Sequence, residues 1–316
     1  MSEMSGSTSA RYRLLVVNNT RSARARHGDQ RSIILDGLAQ RGCDLQFVTA
    51  DSAPGVTAAL KEAMTQPHDA VVSIGGDGTL YLCLQAVAGT STPLAIVPMG
   101  TGNDVASYFG LTKGDPHAMV EKIVAALENP TKRHQVDVGR VTTGDGNTNW
   151  FMTILACGFD TVVNERANQM KFPKGNSRYL ASVLRELPTL APYDYEVTLD
   201  EGGQAAKPGL LMAVGLITRY GGGFHMCPHA SATDGMLSWT HVAPIGKARV
   251  LALLPKLMAG KHLGHSAVSH GHARRVHITV PGLRAYADGE TMGVSPFDVE
   301  CVPRALTLLI GEVPSA

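Results

Sequence analysis

The chain has 316 residues and a net charge of +1, with 44% hydrophobic residues but only 5% aromatic ones. That length predicts two lobes, with cores built mostly from Val, Leu, Ile and Ala. The near-neutral balance excludes nucleic acid recognition through a strongly basic face, and no apolar run is long enough to span a bilayer.

The stretch from Met1 to Arg13 is polar and Ser-rich, without the apolar centre of a signal peptide. Arg11 to Val17 reads as a strand ending at Asn18-Asn19-Thr20. A helical pattern over Arg31 to Arg41 closes at Gly42, a short strand follows at Leu45 to Thr49, and Thr57 to Met64 is helical again. Asp69 to Ile74 is an apolar strand that runs into Gly75-Gly76-Asp77-Gly78-Thr79, and Leu80 to Ala88 opens a helix immediately after. Pro93 to Pro98 is a further strand, followed by Met99-Gly100-Thr101-Gly102-Asn103-Asp104 and a helix from Val105. Strands alternating with helices at this spacing imply a parallel sheet with right-handed crossovers, whose strand-to-helix loops gather at one ligand-binding edge.

The pattern changes near Lys132. Strand-like segments follow at Val136–Thr142, Trp150–Leu155, Tyr195–Leu199, Leu210–Leu216, Leu237–Val242, Val276–Val280 and Ala305–Ile310, with Gly and Asp/Asn turns between them. Helical stretches interrupt them at Arg178 to Leu187 and Lys247 to Met258. The expected fold is therefore an α/β N-terminal lobe with a parallel sheet plus a β-rich, mostly antiparallel C-terminal lobe. The expected division is 11–134 for nucleotide binding and 135–300 for the acceptor, with 301–316 a segment able to pack back on the first domain.

The glycine turn carries the chemistry. Three glycines let backbone approach a phosphate without a Cβ in the way, and the amides opening the next helix face that anion favourably. Asp77 would repel a bare phosphate, and makes sense where Mg²⁺ lies between the two. The alternative is an ordinary tight turn. Strand, turn, helix and acid together favour the phosphate, and so a nucleotide-using enzyme. The five scattered cysteines, Cys43, Cys83, Cys157, Cys227 and Cys301, form no CxxC pair and fit a reduced cytosolic compartment.

Gly75-Gly76-Asp77-Gly78-Thr79, Gly100-Thr101-Gly102-Asn103-Asp104, Gly221-Gly222-Gly223, Asp234-Gly235 and Asp288-Gly289-Glu290 occur in the order of the diacylglycerol kinase catalytic-domain family. That family includes bacterial diacylglycerol kinases, relatives acting on other lipids, and sphingosine and ceramide kinases. The resemblance runs from Tyr12 to about Ile310. The first block alone is shared with NAD kinases and, loosely, phosphofructokinases; the five together are specific.

The resemblance implies an ATP- and Mg²⁺-dependent kinase for a lipid hydroxyl, with an NAD kinase/diacylglycerol kinase-like fold. Gly75, Gly76, Asp77, Gly78, Thr79, Leu80 and Tyr81 would line the ATP phosphates, joined by Thr101 and Asn103, with Asn18 and Thr49 at the nucleotide. Asp104 would help hold the metal network, where the bland reading is a helix cap. Asp288 would accept the hydroxyl proton, with Glu290 orienting it, binding metal or taking that role itself; otherwise Asp-Gly is a hairpin turn. A structural Mg²⁺ would rest on Ser231, Asp234 and Met236. Three departures stand out: His229 where the family has Asp, no proline after Asn18, and Ser107 where an arginine often stands.

Diacylglycerol, giving phosphatidic acid, is the default acceptor by family frequency. A sphingoid base, ceramide or phosphatidylglycerol are alternatives, as are an NAD kinase-like enzyme and a non-catalytic lipid- or nucleotide-binding pseudoenzyme. The implied setting is cytoplasmic, with peripheral contact at the inner face of a membrane, no nucleic acid partner, and a homodimer left open. Eight of the 12 histidines follow residue 220, His262, His265, His270 and His272 among them, and are expected on a surface loop rather than at zinc. The apolar stripe from Val250 to Met258, flanked by Lys247, Arg249, Lys256 and Lys261, suits either a core helix or one resting on lipid headgroups. Lys171, Lys174, Arg178 and Arg185 add to the basic flank.

Overall fold

Strand and helix alternate through the first part of the chain: β1 (Tyr12–Asn18), α1 (Gly28–Gln40), β2 (Cys43–Val48), α2 (Ala53–Ala63), β3 (Ala70–Gly75), α3 (Asp77–Val87), β4 (Leu94–Pro98), α4 (Asp104–Tyr108) and α5 (Pro116–Glu128). The computed structural model describes residues 11–18, 28–111, 114–170, 172, 176–202, 205–221 and 223–309. Asn19, Thr20, Arg21, Ser22, Lys171, Lys174 and Gly222, which the sequence singles out, lie outside them, as does the chain beyond residue 309. β1 to β4 pair in parallel in the order β2-β1-β3-β4. β3 is buried along its whole length, as a parallel strand covered on both faces must be.

Local chemistry sets the helix starts. Ser52 caps α2 by accepting from the Gly55 amide at 3.2 Å, with Pro54 in the first turn. Asp115 and Pro116 do the same for α5, whose Val120, Ile123, Val124 and Leu127 recur at helical spacing on the buried face.

The second part of the chain adds β5 (His134–Thr143), β6 (Thr148–Phe151), β7 (Ile154–Gly158), α6 (Phe159–Gln169), α7 (Asn176–Glu186), β8 (Tyr193–Leu199), β9 (Ala205–Gly209), β10 (Leu211–Gly215), β11 (Leu237–Val242), α8 (Lys247–Met258), β12 (Val268–Ala273), β13 (Arg275–Thr279), β14 (Arg284–Ala287), β15 (Glu290–Val294) and β16 (Phe297–Leu308). Six of these strands form an antiparallel sheet in the order β12-β11-β10-β7-β14-β15. It faces β5, β6, β8, β13 and β16 across a core that includes Phe151, Leu155, Tyr195, Val214, Ile278 and Phe297. Alternation in β7 sends Leu155 and Cys157 into that core and Ile154 and Ala156 to the opposite face, against residues of α6 and α7. The parallel sheet and the antiparallel sandwich are those expected from the sequence.

The two parts share one sheet. β16 pairs with β5 and β13, then reaches β4 in parallel at Leu308 and Leu94. It begins eight residues before the predicted strand at Ala305, and its ladder with β5 shifts between Val302 and Leu306, where Pro303 and the positive φ of Arg304 interrupt the pairing. The predicted helix from Val105 is only five residues long and gives way to Gly110 at φ +68°. The continuous strand predicted over Trp150–Leu155 is instead broken into β6 and β7, for a reason found at the candidate site. The histidines are not all on a surface loop either: His270 and His272 lie on β12, and His262 is buried with Nε2 at 3.2 Å from the Met226 carbonyl. Among the described residues, no helix is long and apolar enough to cross a membrane.

Candidate active site

The loops after β3 and β4 lie back to back. A Cβ added to Gly100 would stand 2.4 Å from the Gly76 Cα, and one on Gly102 would stand 2.7 Å from Asp77 Oδ2. Asp77 joins the loops by accepting from the Asn103 amide at 2.7 Å and the Asp104 amide at 3.0 Å. Its carboxylate thus caps α4 from a neighbouring helix. Asn103, at φ 57°, bonds the Gly100 amide and carbonyl through its own side chain, both at 3.0 Å. So Gly76, Gly100 and Gly102 are glycines because protein fills the space a Cβ would take. Only Gly78 turns its missing side chain to an open wall, with Glu290 Oε1 at 3.8 Å the sole neighbour.

Two hollows open on this junction. The first, of ≈ 480 Å³, is lined by Asn18, residues 50–54 and the start of α2, together with Gly78, Thr79, Tyr81 and Glu290. The second, of ≈ 130 Å³, holds Asp77, Asp104 and Asp288, with Thr153, Asn164 and Tyr220. Asp77 and Asp288, predicted acids far apart in the sequence, therefore share one cleft.

Asp288 sits at φ 54° in the turn between β14 and β15. It accepts from the Met152 amide at 3.0 Å, the Thr153 amide at 2.9 Å and the Thr153 hydroxyl at 2.5 Å, while its own amide donates back to Thr153 Oγ1 at 3.1 Å. Met152 and Thr153 spend their N–H groups here rather than on a strand ladder, which is why the chain breaks between β6 and β7. Burial pushes the Asp288 carboxyl up to about 6; the Thr153 and Met152 bonds pull it down, and the Asp77 charge adds to the rise. Burial also raises Asp77, against its backbone bonds, and raises Glu290.

Among the described residues, no Lys, Arg or His lines the smaller hollow. Three carboxylates gathered on one hollow fit a divalent ion that keeps most of its waters. Among the described residues no group of three His, Cys, Asp or Glu side chains converges closely enough to hold a metal by itself. At the second predicted metal site, Asp234 Oδ1 accepts the Met236 amide at 2.9 Å, and Asp137 ties the same loop through the Gly235 amide at 2.7 Å. One Asp234 oxygen and the loop carbonyls are left for an ion, a sparse but suitable oxygen set. The loop touches Tyr108 at the end of α4 and lines neither hollow. His229 lies apart with its ring centroid 6.3 Å from that of His270.

Other predicted residues are placed differently. Leu80 turns into the core at 4% exposure, Thr101 is exposed, and Thr49 is exposed beside Ala50, which does line the larger hollow. Asp288 and Glu290 separate, the first to the smaller hollow and the second to the larger one.

Sequence reasoning missed a third feature. Phe159, Val183, Leu211, Met226, Leu254 and Leu257 help line an apolar cavity of ≈ 90 Å³ beneath α8. Asp160 forms its polar end, accepting from Tyr220 at 2.6 Å and from Asn164 Nδ2 at 2.7 Å and bonded to the Tyr179 hydroxyl. Since Asn164 and Tyr220 also line the smaller hollow, this network is the wall between the two spaces. The available signal was an acid two residues past a strand on the ligand-binding edge, and a tyrosine directly before Gly221.

Burial pushes Asp160 up to about 7, partly offset by Tyr220 and Asn164. Its folded pKa therefore exceeds its unfolded one, and its stabilising share is complete below about pH 4 and lost as pH rises through about 7. Asp160→Asn should remove that slope. The variant gains on the order of 2–4 kcal/mol over wild type between pH 4 and pH 8, read as Tm against pH.

The family description "Diacylglycerol kinase catalytic domain" matches residues 13–141, and "YegS C-terminal NAD kinase beta sandwich-like domain" matches residues 153–310. A diacylglycerol kinase of Mycobacterium tuberculosis (strain ATCC 25618 / H37Rv) is 36% identical over 272 residues, 86% of each chain. One from Bacillus subtilis (strain 168) is 24% identical over 289 residues, 90% of this chain and 91% of that one. Among solved structures, a diacylglycerol kinase from Bacillus anthracis str. Sterne superposes with a TM-score of 0.68 at 20% identity, covering 94% and 96% of the two chains. An NAD kinase from Archaeoglobus fulgidus in complex with ATP gives 0.52 at 14% identity over 95% and 94%. Both likenesses are of fold.

Proposed function

Because the chain belongs to the diacylglycerol kinase family, and is a lipid kinase with an alcohol group as acceptor, we propose that it moves the γ-phosphoryl group of ATP to the free hydroxyl of diacylglycerol, giving phosphatidic acid. The observation that carries this reading is the meeting of Asp77 and Asp288 in one hollow at the ends of β3 and β14.

The larger hollow takes the nucleotide, with the first amides of α3 turned to its phosphates and Gly78 leaving the wall free of side chain. Asp77 with Asp104 would hold Mg²⁺, which would supply charge neutralisation at the phosphates. Asp77 would do so with the lone pairs its two amide bonds leave over. Asp288 accepts the hydroxyl proton on an oxygen fixed by Thr153. A carboxylate with its pKa near 6 is ionised at neutral pH yet basic enough to share a proton in the transition state. Glu290 stands on the nucleotide side, lining the larger hollow with Gly78 and Tyr81. The acceptor's chain lies beyond the Asp160 wall, in the apolar cavity under α8.

Purified protein should phosphorylate dispersed diacylglycerol with ATP and Mg²⁺ well above sphingosine, ceramide, phosphatidylglycerol or NAD, followed by transfer of radiolabel to each acceptor. Transfer to NAD with none to any lipid would overturn the proposal.

A further inference from the structure

Between Asp234 and Asp288 the chain carries seven Lys and Arg residues and not one Asp or Glu, although the whole chain has a net charge of only +1. α8 lies in this stretch, and none of its residues is fully buried. Val250, Leu253, Leu254 and Leu257 line the apolar cavity. Leu251 and Met258, seven residues and two turns apart, face outward at 40% and 48% exposure. Exposed Ala248, Ala252 and Pro255 continue that outer surface, with Arg249 and Lys256 on its far edge and Lys261 just past the helix. Among the described residues, none of these three cations is in an ion pair. The neighbouring end of α7 adds Leu184, 51% exposed, and the exposed Arg185, and Lys247 Nζ donates at 2.7 Å to the Pro188 carbonyl just beyond.

A helix apolar on both sides, with cations along one edge and no acid, fits a surface that is apolar below and anionic above. A protein partner would find no acid here for its own cations. We propose that the outer face of α8, with the end of α7, docks on an anionic bilayer. Leu251 and Met258 enter the acyl boundary while Arg249, Lys256 and Lys261 meet headgroups. The acceptor's chain then passes beneath α8 into the cavity without crossing water. The cavity is small as it stands, and α8 is weakest where it has to yield, since Pro255 has no N–H for the Leu251 carbonyl. The docking surface rests on the lipid kinase reading only for its purpose; its test does not.

Vesicle co-sedimentation of the full chain compares phosphatidylcholine alone with phosphatidylcholine containing one-third phosphatidylglycerol. Binding should need the anionic lipid and weaken as salt rises. Arg249→Glu with Lys256→Glu should lower vesicle affinity about tenfold or more, and Leu251→Glu with Met258→Glu comparably. Both pairs should keep wild-type kcat/KM for a short-chain diacylglycerol dispersed as monomers. Equal binding to neutral vesicles, or reversal variants that bind like wild type, would overturn docking. So would loss of monomeric-substrate turnover in step with vesicle binding, or a dimer that Leu251→Glu with Met258→Glu splits. Should no acceptor turn over while anionic binding persists and fails in the variants, the activity reading falls and the docking surface stands.

Discussion

Asp288→Asn lowers kcat by about 10²–10⁴-fold, the range for removing a positioned general base. The fold should survive, because one amide oxygen can still take the Thr153 bonds. The lost acceptor for Met152 costs roughly 1–3 kcal/mol and is read separately as a lower Tm. Wild-type kcat/KM should rise with pH through about 6 and level off above it, since the base must be ionised. Thr153→Val separates this acid from its neighbours. Deleting the hydroxyl removes a charge-assisted bond worth ~1.5–3 kcal/mol to the ionised form, so the acid limb moves up by about one pH unit or more. A flat profile below pH 6 in wild type, or Asp288→Asn at full activity, would remove Asp288 from the chemistry.

The parallel half of the fold was legible because its signals are local. Apolar runs ending in Gly-rich turns mark β3 and β4, and both loops fall where the sequence puts them. Legibility failed where a distant residue decides. Nothing near Met152 and Thr153 announces a break, since its cause is a carboxylate about 135 residues away. α5 was missed despite Asp115 and Pro116 at its start, and β12 was obscured by histidines that alternate with small residues. Of the site, the acids could be named by type but not by side of the cleft: Asp288 and Glu290 are two residues apart and face different hollows. The Asp160–Tyr179–Tyr220 network joins three separate segments, so no short window of sequence contains it.

The glycines invite the sharpest test. In sequence they look like room for a phosphate. In the structure Gly100 and Gly76 are room for each other, with the added Cβ at Gly100 only 2.4 Å from backbone and 2.7 Å from Asn103 Oδ1. Backbone cannot swing aside as a side chain can. Gly100→Ala should therefore cost at the upper end of the ~1–3 kcal/mol range for overpacking, or beyond it. By parting the loops it also lengthens the two amide bonds to Asp77, so nucleotide affinity and turnover fall together with Tm. Gly78→Ala makes the opposite case. Its Cβ meets nothing closer than 3.8 Å, and alanine is worth about 0.5–1 kcal/mol over glycine within a helix, so Tm holds or rises. The methyl instead stands on the wall of the larger hollow and should weaken ATP while leaving the fold intact. If Gly100→Ala melts like wild type, or Gly78→Ala binds ATP as tightly as wild type, then the loops are not packed as described or the nucleotide does not lie against Gly78.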